Sequence, residues 1–202
     1  MVKNYQQRFR RVKDEMERWE ALQSRLLSQF RNASSIVDRL QAIQSSANYG
    51  ALNSINGVKD VVFRKQMESL GAIFRCMNAT LEEFHLIVLS LEKMHRDCKQ
   101  LVSRGSAQAI TTKQLQLRIG VKPSLAYCLD GLLSLHDMHQ SEYVLKSSVV
   151  SALSSLTLKS SSSDLSALHQ LLVDQPFSLI YPKKKCNQSS TSSSLKIYVN
   201  NL

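Results

Sequence analysis

Turn-forming residues are scarce in this chain. Its 202 residues include only 3 Pro and 6 Gly. A sheet of many short strands needs a turn signal every few residues, so the scarcity argues for long helices. Cysteine is also sparse, and Cys76, Cys98, Cys128 and Cys186 are scattered without a C-x-x-C pair. That spacing excludes a dense disulfide framework and suits reduced thiols in a cytosolic or nuclear protein. No apolar run reaches the roughly 18 residues that a membrane span needs. The first residues, MVKNYQQRFRRVKDEMERW, lack the apolar stretch of a secretory leader. Residues 1–13 hold five basic and no acidic side chains, as an organelle presequence would, but the pattern runs on into a helix. No nucleophile elbow, Gly-rich phosphate loop or pair of catalytic carboxylates is present, so no enzymatic activity and no cofactor are expected.

What is present is apolar surface and positive charge. The hydrophobic share is 43%, enough for a core, and the net charge is +10. Residues 1–45 carry 9 basic and 5 acidic side chains, residues 46–103 carry 7 and 6, and residues 104–202 carry 10 and 5. The excess therefore lies in the outer thirds. A basic balance suits a ribonucleoprotein or an acidic partner. No motif for reading a nucleic-acid sequence accompanies it.

Heptad patterning is the strongest signal. In residues 2–44, an alternating spacing of four and three joins Tyr5, Phe9, Val12, Met16, Trp19, Gln23, Leu26, Phe30, Ala33, Val37, Leu40 and Gln44. This spacing makes a helix–helix seam. The two Gln and the Ala are expected to weaken it. Arg8, Arg11, Glu15, Arg18, Arg25 and Arg31 fall on the outer face. Residues 45–58, rich in Ser, Asn and Gly, break the pattern. A second series then holds through residues 59–103: Phe63, Met67, Leu70, Phe74, Met77, Leu81, Phe84, Val88, Leu91, His95, Cys98 and Val102. Ile73, Ile87 and Leu101 widen this stripe and predict contact with more than one neighbour. Two such helices joined by a short loop are expected to form an antiparallel hairpin.

Residues 104–123 read as a connector with a short helix near 113–118, where Thr111 and Gln114 have capping-box spacing. Ser124 is a natural N-cap for a third helix over 124–157, with the stripe Leu125, Leu129, Leu132, His136, His139, Tyr143, Val150 and Leu153. A short helix is expected over 164–173. Residues 176–202 are polar and low in complexity, and read as a disordered tail. The predicted fold is thus all-α: a long helical hairpin with a third long helix packed on it, in one elongated bundle over 1–175.

Two pairs have metal-compatible spacing, His95 with Cys98 and His136 with His139. Zinc needs four converging ligands, or three and a water, and no local cluster supplies them. Both pairs lie within apolar stripes and are better read as packing residues. Lys183, Lys184 and Lys185 form a basic run too short for a firm import signal. Serines at 147–163 and 189–194 are possible phosphate acceptors.

The third helix carries a resemblance. The segment PSLAYCLDGLLSLHDMHQSEYVLKSSVVSAL, residues 123–153, resembles the AIRIM family of small helical adaptors, and looks like a plant member. The matching positions are Pro123, Ser124, Leu125, Ala126, Leu129, Leu132, Leu135, Tyr143, Val149, Val150, Ser151 and Leu153, with Asp164, Leu165, Ala167 and Leu168 beyond. Animal members crowd Lys and Arg around the tyrosine, whereas here only Lys146 remains nearby. The resemblance implies a subunit without catalysis of its own. Its partners would be a valosin-containing-protein-like AAA+ ATPase, a second small helical adaptor and a large-subunit pre-ribosomal particle, in cytoplasm and nucleus. Pro123, Ser124, Leu129, Leu132, Tyr143 and Lys146 would then be the partner-binding candidates. The seams alone support a different reading, a coiled-coil structural or tethering subunit of a multiprotein complex.

Overall fold

The computed structural model describes residues 2–104, 124–156 and 162–178. All regular structure among them is helical: α1 (Val2–Gln44), a 3-10 segment (Ser46–Ser54), α2 (Val58–Arg104), α3 (Leu125–Leu156) and α4 (Ser162–Asp174). The bounds fall within two residues of those read from the heptads and caps. The expected short helix near 113–118 and the segment beyond residue 178 lie outside the described residues. Among the described residues, no helix is long and apolar enough to cross a membrane.

The chain divides into two compact units, and each long helix contributes to both. The first comprises Met1–Glu20, Phe84–Tyr143 and Pro176–Leu202; the second comprises Ala21–Glu83 and Val144–Gln175.

In the second unit, α1 and α2 run antiparallel. Arg25 pairs with Glu83, the Thr80 hydroxyl donates to Gln29 Oε1 (3.1 Å), and Lys59 Nζ donates to the Gln44 carbonyl (2.7 Å). The rising numbers on one helix meet falling numbers on the other. The Lys59 bond, with Asn48 Nδ2 donating to the Ala42 carbonyl at 2.6 Å, satisfies last-turn carbonyls that a helix end leaves bare. The break after α1 is a 3-10 turn kinked at Gly50, whose φ is 49°. Leu26, Phe30, Ala33, Val37 and Leu40 of the first seam are fully buried in this unit, as are Leu70 and Met77 of the second. Burying one such large side chain contributes about 1.5–3 kcal/mol.

α4 packs on α1 here. The Phe30 and His169 rings stand 5.7 Å apart, and Gln23 Nε2 donates to the Leu172 carbonyl at 2.6 Å. The seam glutamine expected to weaken the interface therefore anchors α4 by capping its last turn. Ala33, the small seam residue, is fully enclosed.

In the first unit, Ser90 donates to Glu15 Oε1 at 2.6 Å, and the Trp19 ring stands edge-on to Phe84 at 4.5 Å. Trp19 also meets His139 of α3 edge-on at 4.4 Å. The third long helix thus packs on the hairpin. Ile87, Val88, Leu91 and Cys98 of α2 fill the core with Leu132 and Met138 of α3.

Candidate functional site

α3 holds the family-like motif, and its surroundings define the candidate site. The helix begins where the cap chemistry predicts. Ser124 Oγ accepts from the Tyr127 amide (3.3 Å) and its carbonyl accepts from the Cys128 amide (3.1 Å). The hydroxyl stands in for the missing preceding turn. Pro123 lies outside the described residues.

The remaining candidates fall at different depths. Leu132 is buried, Leu129 and Tyr143 are half-buried, and Lys146 is completely enclosed in the second unit. Tyr143 lays its ring against His85 of α2, with centroids 5.0 Å apart and planes 30° from parallel. The candidates therefore do not form one exposed patch. Leu132 and Lys146 support the helix from beneath, while Ser124, Leu129 and Tyr143 reach its surface.

Two buried polar groups shape the same helix. His139 donates from Nδ1 to the Leu135 carbonyl at 2.7 Å, which fixes the ring against Trp19. Glu142 is fully buried, and its Oε1 accepts from the amides of Phe177 (2.7 Å) and Ser178 (3.2 Å). The carboxylate thereby ties down the turn that follows α4. Sequence reading missed this role, because nothing in the heptad pattern marks a single Glu as an anchor for backbone 35 residues away.

The outer side of α3 is unusually apolar. Only Asp130, Asp137, Glu142 and Lys146 of its 32 residues are charged, and the last two are buried. Tyr127, Leu133 and Val144 are exposed at 49%, 42% and 52%. A helix that is apolar beyond its core stripe commonly has a further surface to cover. The stripe read from the sequence passes through Leu132 and does not include Leu133.

His95 and Cys98 of α2 share the first unit with Cys128 and His136 of α3. Burial lowers the His95 pKa, and the positive charges of Lys99 and His136 lower it further, against Asp137 and Asp130. Burial pushes the Cys128 thiol up, and Cys98 adds to the shift. Among the described residues, no three His, Cys, Asp or Glu side chains are grouped to hold a metal ion. His136 Nδ1 instead lies 3.0 Å from Asp137 Oδ1.

Comparison with known proteins gives one match. A family model described as "Ribosome biogenesis protein C1orf109-like" covers residues 1–185; this is the AIRIM family that the third helix resembles. The match extends through α1. No curated protein and no solved structure matches the chain.

Proposed function

From the premise that this chain belongs to the C1orf109-like ribosome biogenesis family, with a role in ribosome maturation, we propose that it is a non-catalytic adaptor. Its α3 is the gripping element. The observation that carries this reading is the exposure of Tyr127, Leu133 and Val144 on α3, with the carboxylates of Asp130 and Asp137 exposed beside Leu133. Aromatic and aliphatic side chains of this kind anchor protein interfaces when a partner covers them.

The partners in this reading are an AAA+ ATPase, a second small helical adaptor and the large-subunit precursor, met in cytoplasm and nucleus. Ser124, Leu129 and Tyr143 lie at the contact, Pro123 precedes it, and Leu132 and Lys146 hold the helix in position. In such a role the adaptor supplies grip and the ATPase supplies work. Affinity purification of the tagged chain from cells tests the proposal. Co-recovery of an AAA+ ATPase with large-subunit assembly factors is the expected result, and recovery of neither removes it.

A further inference from the structure

The positive charge is unevenly divided between the two units. The first holds 17 of the 26 Lys and Arg but only 9 of the 16 Asp and Glu, while the second is nearly balanced. Seven of those 17 lie in 105–122 and 179–202, outside the described residues, and six others, Arg10, Arg11, Lys13, Lys93, Arg96 and Lys99, lie where α1 begins and α2 ends. Residues 1–13 and 93–104 together contain nine basic side chains and one acidic, Asp97. The Ser90–Glu15 bond sets residues 10–13 beside this part of α2. At a rise of about 1.5 Å per residue, Lys13 stands level with residues near 92 and Arg10 with residues near 95.

Arg10, Arg11, Lys13, Lys93, Arg96 and Lys99 are all exposed. The ion pairs here are weak, Lys13 with Glu17 at 3.8 Å and Arg96 with Glu92 at 3.4 Å, both in solvent. Such solvent-exposed pairs are weak and yield readily to a denser anion. Among the described side chains of residues 10–18 and 93–100 none is an exposed large hydrophobic, and exposed Leu86 and Leu89 of α2 border that stretch. A protein-docking face normally centres on apolar or aromatic anchors. A cluster of exposed cations suits a phosphate backbone.

We propose that this end of the first unit binds the phosphate backbone of structured RNA, without reading its sequence. The choice of RNA rests on the ribosome-maturation reading; the cationic surface itself does not.

Fluorescence anisotropy of the full chain with a labelled RNA duplex of about 20 base pairs, over about 50–200 mM salt, tests this. Binding should weaken steeply with salt. The triple variant Lys93→Gln, Arg96→Gln, Lys99→Gln should bind at least about tenfold less tightly and lose roughly two to three units of the log–log salt slope. The control Arg64→Gln, Lys65→Gln, Arg75→Gln, placed on exposed residues of the second unit, should change neither. Circular dichroism checks that both variants fold. Absence of RNA binding, or equal loss in both variants, overturns the proposal. So does displacement of the RNA by a glutamate-rich peptide at equal charge, which assigns the surface to an acidic protein. The α2 variant should still co-purify the ATPase, so failure of RNA binding with the ATPase retained defeats this inference and leaves the adaptor reading standing.

Discussion

Gln23 illustrates how a polar side chain serves a helical seam. Its Nε2 donates to the Leu172 carbonyl, while its Oε1 has no hydrogen-bond partner among the described residues. Gln23→Leu removes a useful donor together with an unsatisfied acceptor, and the two effects offset, so a cost within about 1 kcal/mol is expected. Gln23→Glu sets a buried carboxylate against a carbonyl and should cost at least about 3 kcal/mol at neutral pH. Urea denaturation distinguishes them, and equal losses would show that the amide does not cap α4. Thiol chemistry follows burial in the same way. Cys76 is exposed, Cys98 is buried and the Cys128 thiol is pushed up. Since the thiolate is the nucleophile, iodoacetamide should label Cys76 first among these three and Cys98 last, as read by mass spectrometry. His95 gives a pH dependence with a defined sign. Its folded pKa lies below the ordinary 6.5, so the fold favours the neutral ring. Its contribution is complete above the unfolded value and is lost as pH falls through the folded one. Urea midpoints should therefore drop as pH falls below the ordinary histidine value of 6.5, and His95→Gln should flatten that drop. An unchanged slope would show that His95 is not the group responsible.

At the scale of elements, α1 and α2 were almost wholly legible. From Val12 to Leu40 every seam position except half-buried Met16 is buried, because a period of about 3.5 residues admits only one face to a helix partner. The start of α3 was legible too, since Pro123 and Ser124 specify a helix entry chemically. Ser124→Ala should cost about 1 kcal/mol and speed amide exchange in the first turn of α3; exchange unchanged at Tyr127 would show that the hydroxyl bond is dispensable. Less could be read where one residue acts on a distant backbone. The anchoring of α4 by Gln23 and of the 176–178 turn by Glu142 depends on how helices meet in space, which periodicity does not encode. The candidate site was half legible. The motif located α3, but not that Lys146 is enclosed or that Leu133, next to buried Leu132, faces solvent.

At the scale of the whole molecule, the two heptad seams cover themselves within one chain. Residues from Leu26 to Leu40 and from Leu81 to Leu91 that would drive a coiled-coil tether to assemble are already buried. Exposed apolar side chains remain on several elements, Leu86 and Leu89 of α2 and Leu171 and Val173 of α4 among them, and the account turns on whether those of α3, Tyr127, Leu133 and Val144, bind a protein. The direct test is a pull-down of the AAA+ ATPase with Leu133→Asp, run beside Leu132→Asp and with circular dichroism on both. Leu132→Asp places a carboxylate in the core and should melt the helices. Leu133→Asp should keep full helicity and lose the ATPase. Undiminished recovery of the ATPase by a folded Leu133→Asp chain would contradict the account.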